Sequence, residues 1–197
     1  MAVIYKKIAI IGMGLIGSSI ALASRRAGLA SVMAGYDADP AAMADFAALQ
    51  HVDEVADSAA AAVADADLVI MAVPVGAVGA VAKSIVPHMK PGSVLTDTGS
   101  TKRSVLRDVA PHINDTIIWL QSHPLAGTEH SGPQAGIASL FDGRYWIVLP
   151  LNAPEPAVLR LESFLTGLGS VVERMAADYH DKVMALTSHL PHLIAYT

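Results

Sequence analysis

The stretch K-I-A-I-I-G-M-G-L-I-G at residues 7–17 decides the fold, because a short apolar run passes straight into G-x-G-x-x-G. This pattern reads as a strand turning into a helix around a pyrophosphate. Gly12 permits the tight turn, Gly14 lets the backbone approach the phosphates, and Gly17 lets the new helix pack on the strand. Leu15 and Ile16 open that helix, whose N-terminus faces the anion. The glycines alone are weak evidence, and the next acid strengthens them. V-M-A-G-Y-D brings a second apolar run to Asp37, about twenty positions past Gly17, the spacing of the carboxylate that holds an adenosine ribose. Ile16, Ile20 and Ala23 recur at helical spacing between the two runs, and Gly28 supplies the stop. A secretory signal is the competing reading, since Lys6 and Lys7 precede an apolar stretch ending in A-L-A-S. The glycine register, the arginines Arg25 and Arg26, and Asp37 favour a dinucleotide-binding βαβ unit.

Outward from this unit the alternation continues. Residues 40–49 read as a helix with proline in its first turn, 58–66 as a helix or loop, and L-V-I-M-A-V-P-V from Leu68 as a buried parallel strand, far too short for a bilayer. A helix at 78–86 stops at Pro87, a strand at 93–96 follows the Pro91-Gly92 turn, a helix at 101–109 stops at Pro111, and a strand occupies 117–120. Strands at 144–149 and 171–173 flank a helix at 155–168, and a last helix begins near Ala176. The order predicts an α/β fold, a Rossmann-type doubly wound, mostly parallel sheet. The expected domains are a dinucleotide-binding domain over 1–174 and, over 175–197, the start of a C-terminal helical domain whose remainder is absent. That last helix carries Val183, Met184, Leu186, Leu190, Leu193 and Ile194, an apolar share that calls for cover.

Composition narrows the function classes. A formal charge of −5 without an extended basic cluster argues against a nucleic-acid partner. With no cysteine among 197 residues, disulfides and thiolate chemistry are excluded, which fits a reducing compartment and makes the cytoplasm the expected location. His51, His88 and His112 sit beside helix ends or turns and read as surface residues.

In open α/β sheets, ligands bind outside the carboxyl ends of the strands. Val73-Pro74 follows the strand at 68, D-T-G-S-T-K at 97–102 the strand at 93, and S-H-P-L-A-G-T-E-H-S-G at 122–132 the strand at 117; S-H-L-P-H lies at 188–192. Together with G-x-G-L-I-G and Asp37, and in this order, these segments resemble the prephenate and arogenate dehydrogenases of tyrosine biosynthesis over essentially the whole chain.

The resemblance implies NAD-dependent oxidative decarboxylation of prephenate and/or arogenate, with CO2 release, by a homodimer built on a helical domain. It implies that His123 is the base at the ring hydroxyl, a task suited to neutral imidazole. Ser100 then sits between nicotinamide and that hydroxyl, Val73 and Pro74 contact the cofactor, and Thr128, Glu129, His189 and His192 border the substrate. The arginine that the family uses for a substrate carboxylate has no match before Thr197.

Each residue also has a plainer reading. His123 could order the turn at Pro124, Ser100 could cap the helix at Thr101, and Thr128 and Glu129 could order a loop. His189 and His192, on one helical face, could join His180 or His130 on a metal, although hydride chemistry needs none and none is assigned. Asp37 suits a 2′-hydroxyl and repels a 2′-phosphate, and Asp39 adds a second acid, so NAD is the expected cofactor. Two other functions stay open: a β-hydroxyacid or imine reductase on the same scaffold, and a nucleotide-sensing module without turnover.

Overall fold

The computed structural model describes residues 2–189. Strand β1 (Tyr5–Ile11) pairs in parallel with β2 (Ala30–Tyr36) on one side and β4 (Leu68–Met71) on the other. The stretch from Lys7 is therefore a central strand, which removes the secretory-signal reading. Helix α1 (Leu15–Ala27) joins β1 to β2 and ends at Gly28, whose φ of 64° supplies the left-handed cap. The chain continues through α2 (Pro40–Ala48), β3 (Glu54–Val55), α3 (Ala59–Val63), β4, α4 (Val78–Ile85), β5 (Val94–Asp97), α5 (Lys102–Val109) and β6 (Ile118–Trp119). All six strands are parallel, in the order β3-β2-β1-β4-β5-β6.

The unbroken apolar runs of β1 and β4 follow from cover on both faces. Side chains alternate across the sheet: Ile8 and Ile10 join one core with Ile20 and Phe164, while Ala9 and Ile11 join the other with Met71, Ile85 and Val105. Strand order reverses between β1 and β4, which opens a crevice beyond their carboxyl ends.

The late strands do not extend this sheet, contrary to the simplest reading of the sequence. The strand expected at 117–120 is cut to two residues, and after buried Leu120 the chain enters β7 (Gln121–Pro124). β7 pairs antiparallel with β8 (Tyr145–Leu149), and β8 pairs parallel with β9 (Val171–Arg174) after α6 (Glu155–Gly167), making a separate three-stranded sheet. His123 thus lies within a strand, not beyond one. Q-S-H-P has no apolar run to announce it, yet all four residues are buried. Helix α7 (Ala177–Met184) runs into a π-helical turn ending at His189. His51 departs from the surface reading: it is only 6% exposed, and its carbonyl oxygen accepts from Arg25 at 3.5 Å. No described helix is long and apolar enough to cross a membrane.

Candidate active site

At one end of the sheet's carboxyl edge, the glycine turn divides its labour. Gly12 has φ +95°, and a Cβ there would stand 2.5 Å from the Ala72 carbonyl oxygen; a Cβ on Gly17 would stand 2.0 Å from the Gly12 carbonyl oxygen. These two glycines serve close packing. Gly14 differs, because nothing lies within 4 Å of its Cβ position. It lines a cleft of about 700 Å³ together with Gly12, Asp37, Ser58, Val73 and Pro74. No side chain caps α1, so the backbone N–H groups of its first turn, where Leu15 and Ile16 are half-buried, are available to an anion.

Asp37, just past β2, is fixed by the turn it faces. Its Oδ2 accepts the Met13 N–H at 2.7 Å and its Oδ1 accepts the Asp39 N–H at 3.0 Å. A carboxylate offers about four acceptor sites, so two such bonds leave capacity for ribose hydroxyls. Asp39 is not among the residues lining that cleft. Its carboxylate accepts the Ala41 N–H at 2.9 Å and caps α2. The open space over Gly14, the uncapped helix and the tethered carboxylate fit the adenosine and pyrophosphate of a dinucleotide.

The other end is built from side chains. Lys102, the first residue of α5, is wholly buried and ion-pairs with buried Asp97 at 2.5 Å. Its ammonium also donates to the Ser122 carbonyl at 2.6 Å. The Ser122 hydroxyl donates to the Asp97 carbonyl at 2.7 Å and accepts from Trp146 Nε1 at 3.0 Å. These bonds lash β7 to the end of β5. Burial pulls the Lys102 ammonium below its usual range, opposed by the charge of Asp97.

β7 presents His123, whose Nδ1 lies 2.9 Å from His180 Nε2. His180 Nδ1 in turn lies 2.8 Å from Asp181 Oδ1. The same Asp181 carboxylate accepts the Lys102 N–H at 2.8 Å and the Arg103 N–H at 3.0 Å. The cap of α5 is therefore Asp181, from 79 residues away, and not Ser100. Thr101, the formal cap position, makes no side-chain capping bond. Burial opposes the Asp181 charge, but the two backbone donors and His180 outweigh it and hold the carboxyl below its ordinary range. Burial lowers the His180 imidazole against the pull of Asp181.

The remaining expected residues are less gathered. Ser100 is exposed in the β5–α5 loop. Thr128 and Glu129 lie in an exposed loop, where Thr128 Oγ1 accepts the His130 N–H at 3.2 Å and Glu129 pairs with His130 at 3.5 Å. His189 is the last described residue, and His192 lies outside the described residues. No group of three or more potential metal ligands occurs among the described residues. Sequence reasoning missed Asp97, Lys102, Ser122 and Asp181 and weighed His180 only as a metal ligand. The available signals were the acid and base ending D-T-G-S-T-K and the adjacent His180-Asp181 pair.

Residues 20–174 match the family described as prephenate dehydrogenase, nucleotide-binding domain. The cyclohexadienyl dehydrogenase of Zymomonas mobilis is 42% identical over 98% of this chain and 66% of its own length. The chain spans about half of several other curated relatives, 52% of one. The crystal structure of prephenate dehydrogenase from Aquifex aeolicus in complex with hydroxyphenyl propionate and NAD+ superposes with a TM-score of 0.87 at 29% identity, over 97% of this chain and 67% of that one. The arogenate dehydrogenase of Synechocystis gives a TM-score of 0.86 at 25% identity, over 94% and 65%. With the family's match running across both sheets, from α1 to the end of β9, the chain belongs to the prephenate dehydrogenase nucleotide-binding domain family.

Proposed function

We propose that the chain carries the nucleotide-binding and proton-accepting half of an NAD-dependent dehydrogenase acting on prephenate and/or arogenate. The observation that supports it most is the His123–His180–Asp181 array, its two histidines buried, set at the same carboxyl edge of the sheet as the glycine turn and Asp37. The proposed reaction removes a hydride and a proton from the carbinol carbon and hydroxyl of a cyclohexadienol ring. The ring carboxylate leaves as CO2, and its bonding electrons complete the aromatic ring. NAD, when bound, supplies the hydride acceptor.

The chain's own residues do the rest. Gly14 and the first turn of α1 receive the pyrophosphate, Asp37 accepts from the adenosine ribose, and Val73 and Pro74 wall the cleft. His123 accepts the hydroxyl proton on Nε2, and Ser100 orients that hydroxyl. Thr128, Glu129, His189 and His192 border the substrate. In this reading residues 1–174 form the dinucleotide-binding domain and residues from 175 onward begin a helical domain that forms a homodimer. Its first helix exposes Tyr179 (61%), and Leu186 just beyond is 69% exposed, the apolar surface such a domain would cover. The proposed setting is the cytoplasm.

The test is to mix the protein with NAD and either prephenate or arogenate, following NADH absorbance and CO2 release. Formation of both products supports the proposal. NAD binding without turnover favours a nucleotide-binding module, and turnover of a β-hydroxyacid instead favours the rival reductase.

A further inference from the structure

We infer that His180 and Asp181 are positioning residues that set the tautomer of His123, holding its proton on Nδ1 and its lone pair on Nε2; the inference rests on the reading of His123 as the base. Asp181 is the fixed point. Its carboxylate takes two backbone N–H bonds from the start of α5, at Lys102 and Arg103, and so acts as an acceptor only. His180 must then present Nδ1–H to Asp181 Oδ1, at 2.8 Å.

His180 is completely buried, a place that disfavours a second proton on its ring. With Nδ1 protonated and the ring neutral, Nε2 can only accept. Its neighbour at 2.9 Å is His123 Nδ1, which has to donate. The hydrogen bond at one ring nitrogen thus decides the state of the other, twice in succession.

The charged and titratable groups around His180 agree with this assignment. Asp181 lies on its own helix, Lys102 and Asp97 approach from α5 and β5, and His123 faces it from β7. Lys102 and Asp97 pair with each other, and Asp181 is the carboxylate that stands directly behind His180. When His123 takes a proton on Nε2, its Nδ1–H already points at a neutral imidazole backed by a carboxylate. That arrangement stabilises the imidazolium where it forms, and the proton stays on His123. Because His180 lies 57 residues beyond His123, the base acquires its tautomer only when α7 is docked against α5.

The two rings also meet edge to face, with centroids 5.1 Å apart at 65°. A purely packing role would need that contact and no proton order. The distinguishing measurement is long-range proton–nitrogen NMR of the histidine rings in the 15N-labelled chain, without cofactor or substrate. In the wild type, His123 should show a protonated Nδ1 and an unprotonated Nε2.

His180→Gln should keep that state, because its amide can donate to Asp181 and accept from His123. His180→Leu fills the space but can do neither, and should leave His123 averaging between tautomers. Should the leucine chain fail to fold, His180→Asn, too short to bridge both partners, takes its place with the same expected loss. In turnover assays the leucine variant should lose roughly 10²-fold in kcat with KM little changed, and glutamine should recover most of it.

A wild-type His123 protonated on Nε2, or an unaltered tautomer in the folded leucine chain, overturns the inference. The spectrum needs no reaction, so the two proposals fail separately. An Nδ1–H tautomer without NADH formation keeps the positioning role and sinks the dehydrogenase reading. NADH formation with an Nε2–H tautomer does the reverse.

Discussion

The two ends of the sheet's carboxyl edge solve the same problem of holding ligand-facing groups still, with different materials. At the nucleotide end, Asp37 reaches back 24 residues to the Met13 N–H, and two glycines let the backbone close on itself. The glycines and Asp37 belong to one βαβ unit, while Val73 and Pro74, which wall the cleft, come from beyond it. At the imidazole end, Asp97, Lys102, Ser122, His123, His180 and Asp181 come from four elements, and Lys102 and Asp181 are 79 residues apart. The first end depends on backbone conformation and on the absence of side chains. The second depends on buried charges and hydrogen bonds that are satisfied only together, which makes it the more vulnerable to single substitutions.

The sharpest way to break the comparison is Lys102→Met. It strands the Asp97 carboxylate in the interior beside the Ser122 carbonyl, so stability should fall by about 3–5 kcal/mol. Denaturant unfolding measures the loss, and a change below about 1 kcal/mol would show that the pair does not hold β7 to β5.

His123→Asn should lower turnover by roughly 10²- to 10⁴-fold while leaving NAD affinity nearly intact. Steady-state kinetics alongside NAD titration check both halves. Near-normal turnover would make His123 structural and place the base elsewhere.

Gly14→Ala and Gly17→Ala test the nucleotide end from within. The Gly14 variant has room for its methyl group in the free protein but places it where the pyrophosphate belongs, so the fold should persist while NAD affinity drops at least tenfold, about 1.4 kcal/mol. The Gly17 variant drives its Cβ into the Gly12 carbonyl, so its melting temperature should fall as well. Equal behaviour of the two variants would erase the division of labour between these glycines.

The smallest effect concerns cofactor choice. NAD should bind more tightly than NADP by about tenfold, about 1.4 kcal/mol, through Asp37 alone, since Asp39 is spent on capping α2. Asp37→Ser should narrow that gap, whereas Asp39→Ser, which keeps a capping oxygen, should leave it. A preference for NADP in the wild type would remove Asp37 from the ribose.

Acid should loosen the imidazole end through Asp181. The Asp181 carboxyl sits below its ordinary value in the folded chain, so its contribution is complete above the unfolded carboxylate range and is lost as pH falls through the folded value. The docking of α7 on α5 should therefore weaken as pH falls through that folded value, readable by hydrogen exchange at Lys102 and Arg103.

The nucleotide end could be read from the chain directly. Glycines at fixed spacing, an apolar run before them and an acid after the next run are local signals, and Gly12, Gly14, Asp37, Val73 and Pro74 do meet around one cleft. The imidazole end could be read only in part. H-P-L-A-G-T-E singled out His123, but nothing near it in the sequence points to His180, and the helix for which Ser100 offered an alternative cap is capped by Asp181. Likewise Q-S-H-P gave no periodic signal for β7, because its residues are buried by pairing with β8 and by bonds to Asp97 and Lys102, not by apolar character.

The sequence by itself determined the α/β alternation, the parallel strands around β1 and the turn that fits a dinucleotide, since periodicity and glycine spacing are local signals; it did not announce β3 or β7. Tertiary structure alone decided which polar groups are buried together, the second sheet and the tautomer-setting chain behind His123. Those depend on which distant segments meet, and part of the cost of burying Lys102 and His180 is offset by partners that folding brings from far along the chain, Ser122 20 residues from Lys102 and His123 57 residues from His180.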